Sequence, residues 1–484
     1  MQSFALSQEV LMILSKSPNP SVVVVLGLIA PLALGACSGG TDQPAEWRLR
    51  SFGRPAQAGE TPLTFRTRRA MEQIVQAQLR QPILRRRWTV AWLRLPLVRR
   101  FQRNPVDLQD WSYGYLYQGL IAFAKRSGED APADLVAAIG RENGWEIGEA
   151  PWRSFDHPDD FAVGAAYVAL ELIRPEKAML DPLRRRVGRV IAAGQPTQPW
   201  WIDAIAMAPP AWVALACRDS EPALLRLAAV RSLETARFLY SPGERLFFRD
   251  QYARQRALEG KGPPLFWGRG NGWAVAGLAR TLEALPADDP SRQPLERHYS
   301  ETLESLMGRR NRDGQLPSDL SDPAVGGETT ATALLVFAGA RGINAGFLDR
   351  GRWQEAILHS WDRLLARVRP SGELIDVQPM ASGPGPTLPR SLSPFAAGLV
   401  LLAGEEVIRM FSPRLPPAKT DSGCCSPRTG CTRQFSTLGR ARLGPPQTPK
   451  APWVVPFLLN ATVEHHRAGP SRPETGGGSW QDRG

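Results

Sequence analysis

Two kinds of helical segment alternate along the chain between residues 66 and 412. One kind carries its charged side chains on one side, which is typical of a helix with one face in water. Segments of this kind are predicted at 66–80, 134–144, 178–193, 222–238, 294–309 and 351–368. The other kind is rich in Gly, Ala and aromatic residues nearly all round. Segments of this second kind are predicted at 110–125, 159–173, 200–217, 268–284, 327–340 and 392–411.

This alternation predicts an all-α fold, an (α/α)6 barrel of six helical hairpins. A helix that is apolar on all sides must be enclosed, whereas an amphipathic helix can face water. Six enclosed helices and six amphipathic ones therefore fit an inner ring and an outer ring. An open helical solenoid is the structural alternative, but it does not require one helix of every pair to be so uniformly apolar.

The N-terminal region reads as an export signal. The apolar run at residues 21–34 is short for a membrane span, and Leu34-Gly35-Ala36-Cys37 resembles a bacterial lipobox. We therefore expect a lipoprotein signal peptide over 1–36, lipidation of Cys37, and a flexible tether over 37–63. The chain would be an exported lipoprotein of the periplasm or cell surface. An ordinary signal peptide, and a true start at Met12 instead of Met1, remain open.

The positive charge of the chain is concentrated in two segments. The net charge is +12, of which residues 413–484 supply +6 (ten Lys/Arg against four Asp/Glu) and residues 81–110 supply +5 (seven against two). The barrel body is nearly neutral, so the sequence does not favour nucleic-acid binding. We expect a catalytic barrel over 64–412 and a disordered Pro/Gly-rich tail over 413–484. Residues 81–110 form either a solvated linker or a contact to an anionic surface.

Asp203 is the candidate with the most informative surroundings. It follows Trp200 and Trp201 and precedes an apolar run at the start of a predicted inner helix. Apolar neighbours disfavour the charged carboxylate, so the side chain tends to hold a proton and can serve as a general acid. The alternative role of an aspartate at a helix start is a simple N-cap.

Other candidate residues also lie near the N-termini of the apolar helices. They are Trp111, Asp159, Asp160, Arg269, Trp273 and Glu328, of which Glu328 is better explained as a cap or an ion-pair partner. In a ring of parallel inner helices these ends open on the same mouth. Helix N-termini carry positive partial charge, so an anionic ligand is favoured there.

Seven motifs occur in one order along the chain. They are DWSYGYLYQGL from Asp110, HPDDFAVGAAYVAL from His157, PWWIDAIAMAPPAW from Pro199, FFRDQY from Phe247, FWGRGNGWAVAGLARTLEALP from Phe266, GGETTATALLVFAGARGI from Gly326 and FAAGLVLLAGEEV from Phe395. Together they resemble the unsaturated uronyl hydrolases of glycoside hydrolase families 88 and 105, especially the rhamnogalacturonyl hydrolases of family 105. The fold of those families is the (α/α)6 barrel.

The resemblance implies release of a 4,5-unsaturated uronic acid from the non-reducing end of lyase-generated acidic oligosaccharides. Asp203 matches the general acid/base, which protonates C4 of the double bond while water adds at C5. Asp159, or its neighbour Asp160, matches the second carboxylate. The resemblance also implies substrate contacts from Asp160, His157, Trp111, Trp201, Trp267, Arg269, Trp273 and Arg249, with Arg269 paired to the substrate carboxylate. It implies no metal and no organic cofactor.

Departures from the family pattern leave the substrate open. Ala206 stands where related sequences carry phenylalanine, Arg249 where many carry histidine, and Ala165 where glutamine is common. The upstream polymer and the oligomeric state are not determined by the sequence. A second function also remains, a surface lipoprotein that binds acidic glycans without turnover.

Overall fold

Thirteen α-helices lie in the residues that the computed structural model describes, which are 48–81, 84, 107–148, 154–194, 200–322 and 325–412. In chain order they are α1 (Pro62–Leu79), α2 (Trp111–Ser127), α3 (Asp130–Glu142), α4 (Ala162–Glu171), α5 (Asp181–Ala192), α6 (Ala204–Asp219), α7 (Pro222–Leu239), α8 (Gln251–Leu258), α9 (Gly268–Ala284), α10 (Arg292–Gly308), α11 (Thr329–Ala345), α12 (Arg350–Leu365) and α13 (Pro394–Phe411). All twelve predicted helices are present, and α8 is additional.

Six of these helices close into an inner ring. Around the ring, α2 contacts α4, α4 contacts α6, α6 contacts α9, α9 contacts α11, α11 contacts α13, and α13 returns to α2. The amphipathic helices pack outside, with α3, α7, α10, α12 and α1 on α2, α6, α9, α11 and α13 respectively. The helix α5 contacts α4 through Leu183, whose side chain packs so close to Gly164 that a Cβ there would clash with it. The predicted (α/α)6 barrel is therefore confirmed.

Small residues allow the inner helices to approach closely. A Cβ at Gly398 of α13 would lie 2.2 Å from the carbonyl oxygen of Tyr115 on α2, and a Cβ at Gly277 of α9 would lie 2.4 Å from that of Ile205 on α6. Neither distance is compatible with a side chain. The glycine content of the apolar segments thus serves ring closure.

Three elements near the barrel mouth were not predicted. A 3-10 helix, Pro158–Phe161, precedes α4, so Asp159 and Asp160 lie in a tight turn before the inner helix. A two-stranded antiparallel hairpin pairs Tyr240–Ser241 with Leu246–Phe247. It leads into α8, whose residues all remain at least partly exposed.

The segment before α1 contacts the barrel at residues 49–51, within the predicted tether. Leu49 is buried, and the N–H groups of Arg50 and Ser51 donate to the carboxylate of Glu129 at 2.8 and 2.7 Å. Residues 52–59 are exposed. Cys37, residues 85–106 and the tail from 413 lie outside the described residues. No helix in the described part of the chain is long and apolar enough to cross a membrane.

Candidate active site

The N-terminal ends of the inner helices meet at one mouth of the barrel. Trp111, the first residue of α2, has its ring centroid 6.1 Å from that of Trp273 on α9 and 5.2 Å from that of Phe395 on α13. Tyr115 on α2 donates a hydrogen bond of 2.7 Å to the carbonyl oxygen of Ala206 on α6. The candidate residues are thus brought together by ring closure, as the sequence predicts.

Asp203 lies directly before α6 and is not used as a helix cap. Its side chain makes no capping hydrogen bond, and its Oδ1 is buried without a hydrogen-bond partner among the described residues. A Cβ at Gly270 would lie 3.5 Å from this oxygen, so the glycine leaves room for it. Burial raises the pKa of Asp203 to about 6, opposed by the charges of Arg249 and Arg269. A carboxyl group with this pKa retains protons near neutral pH and suits general acid catalysis.

Asp159 and Asp160 differ in burial and in their charged neighbours. Asp160 is buried, and its Oδ2 lies 3.7 Å from Nη1 of Arg186 on the outer helix α5. Asp159 is partly exposed, with Oδ2 3.9 Å from Nδ1 of His157. Burial raises the pKa of Tyr115 to about 12, and the negative charges of Asp203 and Asp159 add to this rise. Asp159 is therefore the more accessible of the two carboxylates, whereas Asp160 lies beside Arg186 of the outer helix α5.

A backbone pairing places Arg249 beside the acid. Trp201 and Asp250 form an antiparallel bridge, and the N–H of Ile202 donates to the carbonyl of Arg249 at 3.0 Å. The Nη1 of Arg249 donates to Asp250, which is buried. Because the charge of Arg249 lowers the pKa of Asp203, its guanidinium is the cation that acts most strongly on the acid.

Arg269 is engaged by backbone carbonyl groups. Its Nη1 and Nη2 donate to the carbonyl oxygens of Gln378 and Pro379, each at 2.8 Å, and the residue is 1% exposed. Burial lowers the pKa of Arg269, while the charges of Glu328 and Asp203 raise it. Its contacts therefore hold the 378–379 segment at the mouth.

Trp267 and Glu328 secure the same segment. The Nε1 of Trp267 donates to Oε1 of Gln378 at 2.9 Å, and the N–H of Gln378 donates to Glu328 at 3.0 Å. Glu328 also caps α11 by accepting from the N–H groups of Thr330 and Ala331 at 2.9 and 2.7 Å. Glu328 is thus the N-cap of α11, one of the two roles that the sequence favours for it.

The predicted aromatic residues differ in their accessibility. Trp267 and Trp273 are each 1% exposed, so they form the wall behind the site. Trp111 and Trp201 are partly exposed, and the ring of Trp201 lies 5.1 Å from that of His157 at 31°. A sugar therefore has access to Trp111 and Trp201 and not to the two buried indoles.

Several residues of the site were missed by sequence reasoning. Tyr115 lies in the first motif but was not distinguished from its aromatic neighbours, although its ring centroid is 4.5 Å from that of Trp273. Asn271 joins α9 to the hairpin by accepting from the N–H of Phe247 at 2.8 Å and donating to its carbonyl at 3.0 Å. Gln378 lies in a loop without any pattern that would single it out. The described residues contain no group of three or more His, Cys, Asp or Glu placed to hold a metal ion.

Comparison with known proteins identifies relatives of this chain. It is 28% identical over 323 residues to an unsaturated 3S-rhamnoglycuronyl hydrolase of Alteromonas sp. (strain LOR), covering 62% of this chain and 77% of the relative. It is 27% identical over 326 residues to a hydrolase of the same name from Formosa agariphila, covering 62% and 85%. Its fold is similar to a glycosyl hydrolase family 88 structure from Bacteroides vulgatus, with a TM-score of 0.60, 20% identity, and coverage of 72% and 99%.

A family model covers most of the barrel. The model of Glycosyl Hydrolase Family 88 matches residues 93–411, which is well over half of the 484 residues. The matched range includes every motif on which the sequence resemblance rests. The chain therefore belongs to glycosyl hydrolase family 88.

Proposed function

We propose that this protein is a glycoside hydrolase that releases a 4,5-unsaturated uronic acid from the non-reducing end of acidic oligosaccharides, which polysaccharide lyases produce. The observation that carries the proposal is the carboxyl of Asp203, with one oxygen buried and unpaired at the barrel mouth. Two relatives are named as unsaturated 3S-rhamnoglycuronyl hydrolases, which favours a rhamnose-linked uronate as substrate. Their names also favour turnover over glycan binding alone.

The chemistry requires one proton donor and one ordered water. Asp203 gives its proton to C4 of the double bond, and a water molecule adds at C5 and returns a proton to the Asp203 carboxylate. The bond between C5 and the ring oxygen of the hemiketal then breaks to give a ketone at C5, and the hemiacetal left at C1 collapses to an aldehyde as the remaining sugar leaves with a proton. Asp159 holds the water and the sugar hydroxyl groups, since it is the more exposed of the two neighbouring carboxylates. The raised pKa of Asp203 lets this group hold its proton closer to neutral pH than an ordinary aspartic acid does.

The cation for the substrate carboxylate is Arg249. The Nε atoms of Arg249 and Arg269 both lack a hydrogen-bond partner among the described residues, but both terminal nitrogens of Arg269 donate to backbone carbonyl groups, whereas Nη1 of Arg249 donates to Asp250. Arg249 is also partly exposed, and it carries its charge beside Asp203. Guanidinium and carboxylate groups form strong charge-assisted hydrogen bonds, so this position suits an acidic sugar.

Turnover tests the proposal directly. The purified protein should remove the ultraviolet absorbance of the conjugated uronate from lyase products, and Asp159→Asn should slow this reaction strongly. Asp160→Asn is the matched neighbour, and it should act through folding and lower the melting temperature instead. Binding of these oligosaccharides with full retention of the absorbance would contradict the hydrolase assignment.

We further propose that Cys37 is lipidated and anchors the enzyme outside the cytoplasm. Cys37 and its lipobox resemblance lie outside the described residues, so the support comes from sequence alone. Metabolic labelling with a palmitate analogue should mark the wild-type chain and not Cys37→Ser. Equal labelling of the two proteins would contradict this proposal.

A further inference from the structure

We propose that Trp200 and Tyr252 form an aromatic platform on which the leaving-group sugars of the oligosaccharide stack. This inference rests on the proposed function, because it assigns a place to the part of the substrate that is not the unsaturated uronate. The platform is defined by these two residues. It lies where the segment before α6 meets the start of α8.

Core packing explains little of the position of helix α8. None of its eight residues is buried, and Ala257 is the one residue of this helix that packs partly on the core. Its first turn is instead held by Asp250, which accepts from the N–H of Ala253 at 2.7 Å, and by Trp200, whose carbonyl accepts from the N–H of Gln251 at 2.9 Å. These bonds place Tyr252 against Trp200 rather than against the barrel.

The two aromatic rings are unusually accessible. Trp200 is 38% exposed and Tyr252 is 60% exposed, with ring centroids 5.8 Å apart and planes at 73°. The rings meet edge to face and form an angled surface. Large aromatic surfaces left in water beside a site are typical of ligand contacts, because covering them is favourable.

The platform lies within reach of a sugar next to the uronate. Trp200 precedes Asp203 by three residues, a chain span of at most roughly 10 Å. Trp201, between them, packs on His157, and the guanidinium carbon of Arg249 lies 5.9 Å from the centroid of the Trp200 ring. The unsaturated sugar is terminal, so the rest of the oligosaccharide must leave the enclosed site through the mouth. The exposed pair is placed to receive it.

Substrates with different leaving groups test the platform. With the full-length protein, kcat/KM is measured on a lyase-derived tetrasaccharide and on the methyl glycoside of the same unsaturated uronate, which has no leaving sugar. Trp200→Ala and Tyr252→Ala should each lower kcat/KM on the tetrasaccharide about tenfold. On the methyl glycoside both should match the wild type.

Matched variants separate stacking from folding. Tyr252→Phe keeps the ring and should retain wild-type kcat/KM on the tetrasaccharide. Leu258→Ala, at a 66% exposed position of the same helix, should leave both substrates unaffected. Equal losses on both substrates, or no loss with either alanine variant, would overturn the platform.

The result also distinguishes failure of the platform from failure of the proposed function. If the wild type leaves every unsaturated substrate intact, the hydrolase assignment fails. Titration calorimetry with the tetrasaccharide then decides the platform on its own. Affinity that falls about tenfold in Tyr252→Ala and persists in Tyr252→Phe supports it, and equal affinity in all variants contradicts it.

Discussion

Replacing Asp203 by asparagine should make protein stability less dependent on pH. The folded-state pKa of Asp203 is about 6, against an ordinary value of 3.8. The unfolded chain therefore ionises this group first as pH rises, and the folded state loses stability between about pH 4 and pH 6. A shift of this size corresponds to about 3 kcal/mol. Partial exposure of the residue makes this an upper bound.

The assay is denaturant unfolding of both proteins at pH 4 and pH 8. Asparagine has nearly the same shape and does not titrate, so the stability of Asp203→Asn relative to wild type should rise by about 2–3 kcal/mol from pH 4 to pH 8. Asp288→Asn, an exposed aspartate, is the control and should show no such change. A difference between Asp203→Asn and wild type that is the same at both pH values would refute the buried-acid interpretation.

Three further variants test the roles of individual charged side chains. Arg249→Gln removes a charge that lowers the pKa of Asp203. The alkaline limb of the pH profile of kcat/KM should therefore move to higher pH, and KM should rise. An unmoved limb would contradict the assignment of Asp203 as the acid that Arg249 influences. Arg269→Lys cannot keep both hydrogen bonds to the carbonyl groups of residues 378 and 379. Chemical denaturation should show that the free energy of unfolding falls by about 1–3 kcal/mol. Unchanged stability would contradict the positioning role of Arg269. Burial raises the pKa of Glu405 from 4.5 to about 7, against the opposing charge of Arg126. Wild-type stability should therefore fall between about pH 4.5 and pH 7, and Glu405→Gln should flatten this fall. An identical pH slope for the two proteins would contradict that account.

The ring architecture could be predicted from sequence because a helix enclosed on all sides shows apolar residues nearly all round. The segment at 268–284 is rich in Gly and Ala nearly all round, so it was expected to be enclosed, and the observed α9 has the same bounds. The start of α6 was less predictable. The sequence placed it at residue 200, but Trp201 pairs with Asp250, which delays the helix to Ala204. A contact between residues distant in sequence has no local signal.

The same limit explains what the site analysis missed. Asp203 was identifiable because its apolar neighbours in sequence indicate burial, and burial is the main cause of its raised pKa in the structure. The contacts of Arg269 with Gln378 and Pro379 join residues more than one hundred positions apart, so its positioning role was not visible. Tyr252 lies on α8, whose sequence lacks an apolar face and therefore gives no amphipathic pattern.

The proton transfer from Asp203 to C4 is tested most directly by the stereochemistry of the product formed in D2O. Donation from a fixed carboxyl should place deuterium on one face of C4 in the released uronic acid, as read by NMR during the first turnovers. Asp203→Asn should form no product, although it still binds the oligosaccharide. Deuterium distributed equally over both faces of C4, or near-normal turnover by Asp203→Asn, would contradict the mechanism.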